Sequence, residues 1–312
     1  MKKTAVLLIG FGGPRNLEEV RPFLASVTGG TKIPEDRIQE VYHHYELIGG
    51  KSQFNEVTER QRGALEKELH ARGQALAVGA AFRHSTPSFK DAFEQFRRFG
   101  VERVIGVILS SFRSSASRGK YIDAITEARG RAGAASIEVV YTASFEMDPS
   151  YLGAQTDRIR EIWTTLPDKR KKETRVIFTA HSIPSSMDAK SASENGGMSY
   201  SAQFEQASSR IAGLLRLSKW EVCYQSRSGS PKEPWLGPDV TYIVKNLETP
   251  LTRGVLLVPV GFLCDNVEVV YDLDLETKQT AEGCGLEYQR AGTVGDHPKF
   301  IKMLAEKILE KL

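Results

Sequence analysis

The stretch "VLLVPVGFLCDNVEVVYDLDLE", residues 255–276, joins an apolar run to an acidic one. Its first eight residues are apolar and β-rich, which is typical of a buried strand. The residues that follow place Glu268, Asp272 and Glu276 at intervals of four, so in a helix their side chains lie along one face. The stretch therefore predicts a buried strand followed by a helix that carries a line of three carboxylates.

This line of carboxylates is unfavourable for a helix by itself. Like charges four residues apart destabilise a helix, and no lysine or arginine occurs between Glu268 and Thr277. One structural explanation is that Asp265 and Glu268 lie near the helix N-terminus, where the macrodipole favours anions and an aspartate can cap. That explanation covers only the first turn, so Asp272 and Glu276 indicate a further role for the acidic face.

The same alternation of apolar run and helix-length segment recurs along the whole chain. Strand candidates are spread evenly over the two halves: "TAVLLIGF", "ALAVGAAF", "VERVIGVILS", "IEVVYTASF", then "TRVIFTA", "EVCYQS", "GVLLVPVGF" and "LEYQRAG". The helical segments between them favour parallel strands covered on both faces. We predict an α/β protein of two similar doubly wound (Rossmann-like) domains, at 1–147 and 148–296. The helical pattern at 297–312 is expected to pack back on the first domain.

The composition is typical of a globular protein with a small-molecule partner. Of the 312 residues, 40% are hydrophobic and 26% charged, and no apolar run approaches the length of a transmembrane segment. The net charge of +3 is small and dispersed, which argues against nucleic-acid binding. Cys223, Cys264 and Cys284 are too widely spaced for a disulfide framework or a CxxC metal site, so the predicted compartment is the reducing cytoplasm.

Doubly wound domains bind ligands at the carboxyl ends of their strands. His181 follows the strand candidate "TRVIFTA", just as the acidic line follows "VLLVPVGF". A single histidine is more often a packed structural residue, but with the carboxylates it offers N and O donors suited to a partly hydrated divalent cation. A row of carboxylates, unlike a closed cage, indicates passage of the ion. The sequence has no closed zinc motif, P-loop or GxGxxG, so no nucleotide cofactor is expected.

At these residues the sequence resembles the ferrochelatases, class II chelatases that insert ferrous iron into a porphyrin late in haem synthesis. The resemblance covers nearly the whole chain and rests on motifs in the order typical of the family: "LLIGFGGP", "HYELIGGKS", "FTAHSIP", "YQSRSG" with "PWLGPD", and "VPVGFLCDNVEVVYDLD". It implies the chelatase fold, with the porphyrin in the cleft between two doubly wound domains and Fe²⁺ as a substrate. Because the sequence ends at Leu312 without a cysteine-rich tail, no iron–sulfur cluster is expected.

The resemblance also assigns residues to the site. The family's metal-site histidine and its partner glutamate fall on His181 and Glu268, which are expected to be catalytic and to bind metal. Asp272 and Glu276 match residues proposed in the family as a second metal site or as a route for iron or protons. The implied porphyrin-binding residues are Tyr121, Ser52, Tyr45, His44, Ser226 and Trp235. From the residues alone, Ser52 could equally cap a helix and Trp235 could anchor a turn.

The chain departs from the family pattern at several positions. Asn266 stands where the family often has histidine, Gln53 where it has proline, and Arg15 where some members have a tyrosine ligand. A positive charge from His44 toward a propionate would depend on pH. These departures concern the rim of the porphyrin site rather than the metal chemistry.

The choice of porphyrin rests on similarity to one branch of the family. The segment "VTGGTKIPEDR" is polar where membrane-associated members carry an apolar lip, and "YQSRSG" and "RAGTVGDHPKF" are similar to the coproporphyrin branch. The predicted function is insertion of Fe²⁺ into coproporphyrin III to give coprohaem. The alternatives are a protoporphyrin IX ferrochelatase, a cobalt or sirohydrochlorin chelatase, and a non-catalytic porphyrin or haem carrier. Transient contacts with neighbouring enzymes of the haem pathway are also expected.

Overall fold

The computed structural model describes residues 2–114, 118–228, 232–247 and 251–312. The chain divides into two compact units. Unit 1 consists of Met1–Ser110, Ala116–Ser144 and Gly295–Leu312, and unit 2 of Ser111–Ser115 and Phe145–Val294. The described residues of each unit form one four-stranded parallel sheet with helices around it, which confirms the predicted fold class.

The sheet of unit 1 is built from strands β1 (Thr4–Gly10), β2 (Ala77–Phe82), β3 (Arg103–Ile108) and β4 (Glu138–Tyr141), paired in parallel in the order β2-β1-β3-β4. The helices that accompany it are α1 (Val20–Val27), α2 (Glu35–Leu47), α3 (Phe54–Ala71), α4 (Phe89–Arg98) and α5 (Lys120–Arg131). Every side chain from Ala5 to Ile9 is fully buried. The central strand β1 is apolar on both faces because both faces are covered, as a parallel sheet requires.

Unit 2 repeats this arrangement with strands β5 (Thr174–His181), β6 (Trp220–Gln225), β7 (Gly254–Val258) and β8 (Glu287–Arg290), again all parallel, in the order β6-β5-β7-β8. The described helices of unit 2 are α6 (Pro149–Trp163), α7 (Asp168–Glu173), α8 (Ser185–Glu194), α9 (Tyr200–Leu215), α10 (Val240–Lys245), α11 (Val267–Val269) and α12 (Lys278–Gly283). The eight predicted strand candidates therefore all form strands, and the two sheets share one topology.

The acidic stretch after β7 is helical, but it is not a plain α-helix. A π-helical segment, Val270–Thr277, follows α11 directly and continues into α12. The expected regular α-helix is therefore wrong for the part that carries Asp272 and Glu276. π-Helical turns are rare and often occur at functional sites.

The last helix, α13 (Pro298–Leu309), belongs to unit 1 and packs against α3. Gln61 of α3 donates to the Gly295 carbonyl at 2.9 Å, and Arg72 forms an ion pair with Glu306 at 3.4 Å. The apolar face of α13, including Phe300 and Leu304, is fully buried. In the described ranges no helix has both the length and the apolar character needed to cross a bilayer.

Candidate active site

The main cluster of titratable side chains lies at the carboxyl ends of β5 and β7. The chain leaves β5 toward β6 on one side and then crosses to β7 on the other. Doubly wound sheets bind ligands at such a reversal of strand order. His181 ends β5, and Glu268 lies in α11 after β7. Between them, Gly261 donates its N–H to the Thr179 carbonyl at 3.0 Å. A Cβ on residue 261 would lie 2.6 Å from Ala180, so this close approach requires glycine.

His181 and Glu268 form a direct pair. His181 Nε2 lies 3.3 Å from Glu268 Oε1, and the two side chains are 31% and 36% exposed. The other ring nitrogen, Nδ1, donates to the Ser182 carbonyl at 2.5 Å, and the Tyr200 hydroxyl donates to the His181 carbonyl at 2.9 Å. Asn266 Nδ2 donates to Glu268 Oε2 at 2.9 Å. Both partners are thus held in place, and both remain accessible to a ligand.

These contacts determine the protonation of the pair. A carbonyl only accepts, so Nδ1 of His181 carries a proton, and Nε2 attracts the carboxylate only if it is protonated as well. Burial lowers the pKa of His181, but the charge and hydrogen bond of Glu268 outweigh burial and raise the pKa to about 9. Burial likewise raises the pKa of Glu268, but His181 outweighs it and holds the pKa below its usual value. Without metal, the pair is an imidazolium and a carboxylate.

Asp272 continues the acidic line one turn further on. Ser226 Oγ donates to Asp272 Oδ2, and Gln225 Nε2 donates to the same oxygen at 3.4 Å and to the Glu268 carbonyl at 2.7 Å. Burial raises the pKa of Asp272 to about 7; the Ser226 hydrogen bond opposes this, and the charges of Glu268 and Glu276 add to it. Burial, followed by the charge of Asp239, also raises the pKa of Glu276. Asp272 can therefore exchange a proton near neutral pH.

The remaining acids of the stretch have a separate partner. Arg290 of β8 is 13% exposed and binds Asp265 at 3.0 Å and Asp274 at 2.6 Å. The expectation that Asp265 caps the helix is therefore wrong. Asn266 caps it, because its Oδ1 accepts from the Val269 N–H at 3.0 Å. An arginine distant in sequence thus neutralises two acids of the stretch.

The acidic line itself has no such cation: in the described part of the chain, no lysine or arginine forms an ion pair with Glu268, Asp272 or Glu276. Nor does any group of three or more His, Cys, Asp or Glu side chains among the described residues converge on one metal position. The predicted metal residues are thus arranged as one histidine–glutamate pair with two further carboxylates beyond it. This arrangement is open, unlike a closed cage.

The "PWLGP" segment lies against the loop that follows His181. Trp235 and Pro184 form a β-bridge, and Ser182 Oγ donates to the Leu236 carbonyl at 2.7 Å. The indole Nε1 of Trp235 is buried and donates to no described residue. Ser226 has a left-handed backbone, with φ of +61°, while its hydroxyl binds Asp272. Gly229, the last residue of "YQSRSG", lies outside the described residues.

The other predicted porphyrin-binding residues belong to unit 1. Ser52 is 4% exposed; its N–H donates to the Pro14 carbonyl, and its Oγ accepts from the Phe54 N–H at 3.3 Å, next to the start of α3. Tyr45 is 1% exposed, and Tyr121 is buried in the core. His44 is partly exposed, and burial lowers its pKa. None of these four residues belongs to the unit that holds the His181–Glu268 pair.

Sequence reasoning missed three residues that hold the pair. Gln225 lies directly before Ser226 at the end of β6, so its position at a strand end could have identified it. Asn266 stands where the family often has histidine, but its place before an apolar run is also typical of a helix cap. Tyr200 has no local signal, because its contact with His181 depends on how α9 packs on the sheet.

The fold is similar to that of solved chelatases. The crystal structure of the sirohydrochlorin chelatase SirB from Bacillus subtilis subspecies spizizenii, in complex with cobalt, has a similar fold. Its TM-score is 0.56 at 13% identity, covering 99% of this chain and 94% of that one. A likeness at this identity concerns the fold alone.

The sequence comparisons are more specific. The ferrochelatase family model matches residues 3–312. A coproporphyrin III ferrochelatase from Corynebacterium glutamicum is 34% identical, covering 98% of this chain and 83% of the relative. One from Mycolicibacterium smegmatis is also 34% identical, covering 100% of this chain and 91% of the relative. The chain belongs to the ferrochelatase family.

Proposed function

We propose that this protein inserts Fe²⁺ into coproporphyrin III to give coprohaem, with release of two protons. The observation that carries the proposal is the His181–Glu268 pair, 3.3 Å apart at the carboxyl ends of β5 and β7. The substrate follows from the relatives, which share about a third of the sequence over nearly its whole length and are named coproporphyrin III ferrochelatases. Protoporphyrin IX is the less favoured alternative.

Insertion of Fe²⁺ requires a base, because two pyrrole nitrogens lose their protons. His181 Nε2 must first lose its own proton, after which it can accept a pyrrole proton or bind iron; Glu268 is the adjacent acceptor. Because the Ser182 carbonyl holds Nδ1, the free lone pair of the neutral ring stays on Nε2. The carboxylate and the imidazole together offer a borderline N and O donor set suited to ferrous iron.

Asp272 and Glu276 form the proposed route for iron or protons. They follow Glu268 along the π-helical segment, and Arg290 neutralises the neighbouring Asp265 and Asp274 rather than this row. The raised pKa of Asp272, about 7, lets its carboxyl take up and release a proton at working pH.

The porphyrin would be held by hydroxyl, aromatic and imidazole side chains, as the resemblance implies: Ser52, Tyr45, His44, Ser226, Tyr121 and Trp235. The partly buried Trp235, with an indole N–H that has no described acceptor, supports this role most directly. Ser52, Tyr45 and Tyr121 are buried, so contact with a propionate or the ring requires that their hydroxyls become exposed on binding.

An anaerobic metalation assay tests the proposal. Purified protein receives Fe²⁺ with coproporphyrin III, protoporphyrin IX or sirohydrochlorin, and the absorption spectrum of the metalated ring is followed. We expect strong preference for coproporphyrin III. Preference for protoporphyrin IX would correct the substrate, turnover of sirohydrochlorin would indicate the other chelatase class, and binding without metalation would indicate a carrier.

A pair of matched variants tests the role of Glu268. Glu268→Gln should abolish metalation and leave porphyrin binding, measured by fluorescence quenching, largely unchanged. Glu282→Gln makes the same chemical change at an exposed position of α12 and should be silent. Equal turnover by both variants would contradict the proposed role.

A further inference from the structure

Asn266 makes two hydrogen bonds with one amide group. Its backbone is extended, with φ of −142° and ψ of −174°, immediately before α11. Its Oδ1 accepts from the Val269 N–H at 3.0 Å, which caps the helix, and its Nδ2 donates to Glu268 Oε2 at 2.9 Å. A side chain that caps and donates at once must carry both an acceptor and a donor, as the amide does.

The two oxygens of Glu268 thus have different partners. Oε1 faces His181 Nε2, and Oε2 is bound by Asn266. Glu268 is 36% exposed, so without the second contact its side chain could turn toward water. The hydrogen bond to Asn266 holds the carboxylate plane so that Oε1 stays directed at the histidine.

We propose that Asn266 is a positioning residue that fixes the Glu268 carboxylate for metal, in addition to capping the helix. The expected effect on turnover rests on the proposed function. The expected effect on metal affinity depends only on the geometry of Asn266, Glu268 and His181. Groups that orient a ligand carboxylate commonly change metal affinity 10- to 100-fold when removed.

Other side chains separate the two tasks of Asn266. Serine also caps well but offers no donor of the same reach, so Asn266→Ser should keep the cap and lose the contact with Glu268. Aspartate caps as well as asparagine does, but Asn266→Asp places a carboxylate against Glu268 Oε2. The chain also offers a matched control: Asn16 Oδ1 accepts from the Glu19 N–H at 3.1 Å and caps a short 3₁₀-helix (Leu17–Glu19) in unit 1.

The experiment measures three properties of Asn266→Ser, Asn266→Asp and the control Asn16→Ser. These are Tm, Co²⁺ affinity of the porphyrin-free protein from the visible Co²⁺ spectrum, and kcat with KM for Fe²⁺ in the metalation assay. For Asn266→Ser we expect Tm close to that of the unmodified protein, Co²⁺ affinity lower by about tenfold, and a lower kcat. Asn266→Asp should lose kcat, and Asn16→Ser should change neither Co²⁺ affinity nor kcat.

Two results would overturn the inference. One is unchanged Co²⁺ affinity and kcat in Asn266→Ser; the other is a parallel fall of Tm and Co²⁺ affinity in Asn266→Ser, which indicates a purely structural cap. Failure of the proposed function is a separate result. If the unmodified protein metalates no porphyrin but its Co²⁺ affinity depends on Asn266 as expected, the function is wrong and the positioning role stands.

Discussion

Asp272→Asn is expected to stabilise unit 2, and the gain should grow with pH. Burial raises the pKa of the Asp272 carboxyl from 3.8 to about 7, against the hydrogen bond from Ser226. A carboxyl whose pKa is raised by folding contributes stability below its unfolded pKa, near 4, and this contribution is lost as pH rises through about 7. Asparagine keeps an oxygen that accepts from Ser226 and has no proton to lose, so it avoids this loss.

The magnitude follows from the pKa. A rise from 3.8 to about 7 corresponds to about 4 kcal/mol for a fully shielded carboxyl, at ~1.4 kcal/mol per pH unit. Asp272 is partly exposed, and solvent screening reduces this to about 2 kcal/mol at pH 8 and less at pH 5. For a unit of this size, the gain at pH 8 corresponds to roughly 6 °C in Tm. Calorimetry at pH 5, 6.5 and 8 measures it.

Asp274→Asn is the matched control, two residues away in the same π-helical segment. The Asp274 carboxylate accepts from Arg290 Nε at 2.6 Å and from Nη2 at 2.7 Å. The same isosteric change should therefore destabilise the protein by about 2 kcal/mol at neutral pH. If Asp272→Asn lost stability as Asp274→Asn does, or gained none with rising pH, Asp272 would be an ordinary ionised carboxylate and the reasoning would be refuted.

Three further outcomes follow from the site. Glu268→Gln should lower the pKa of His181 from about 9 toward its ordinary value, because it removes the negative charge beside the ring. Nuclear magnetic resonance of the imidazole ring measures this pKa, and an unchanged value would contradict the pairing. Asp272→Asn combined with Glu276→Gln should raise KM for Fe²⁺ several-fold in the metalation assay, and unchanged iron saturation would exclude the route. Gly261→Ala should lower Tm by roughly 5 °C, because its Cβ would lie 2.6 Å from Ala180; a silent substitution would show that the strand ends can separate.

The fold could be predicted because its signals are local. Strands such as Thr4–Gly10 and Gly254–Val258 are short apolar runs bounded by turns, and the structure forms a strand at each predicted run. The alternation of strand and helix implies parallel pairing, and both sheets are parallel. Because ligands bind at the carboxyl ends of strands, the sequence also indicates His181 and the stretch after β7 as site residues. The 3.3 Å distance between His181 and Glu268 could not be predicted, because it depends on packing between residues far apart in sequence.

The charge of the acidic stretch could not be predicted from its own residues. Counting lysines and arginines within the stretch finds none, yet Arg290 from the edge strand β8 neutralises Asp265 and Asp274. The π-helical turn was also unpredictable, since helix periodicity in a short acidic segment does not distinguish a hydrogen bond to the fourth residue from one to the fifth. Similarly, the burial of Tyr45 depends on neighbours distant in sequence.

The distribution of partners along the acidic stretch limits its unfavourable charge to a few residues. Arg290 neutralises Asp265 and Asp274, and His181 neutralises Glu268. Within this stretch, the carboxylates without an ion-pair partner are therefore Asp272 and Glu276. Burial then raises the pKa of Asp272 to about 7, so near neutral pH its carboxyl is partly protonated until a cation or a base arrives. A divalent cation that approaches the row would therefore displace a proton from Asp272 first and from His181 Nε2 next. Loss of these protons would leave Asp272 and His181 as bases able to accept the two protons that the pyrrole nitrogens lose on insertion.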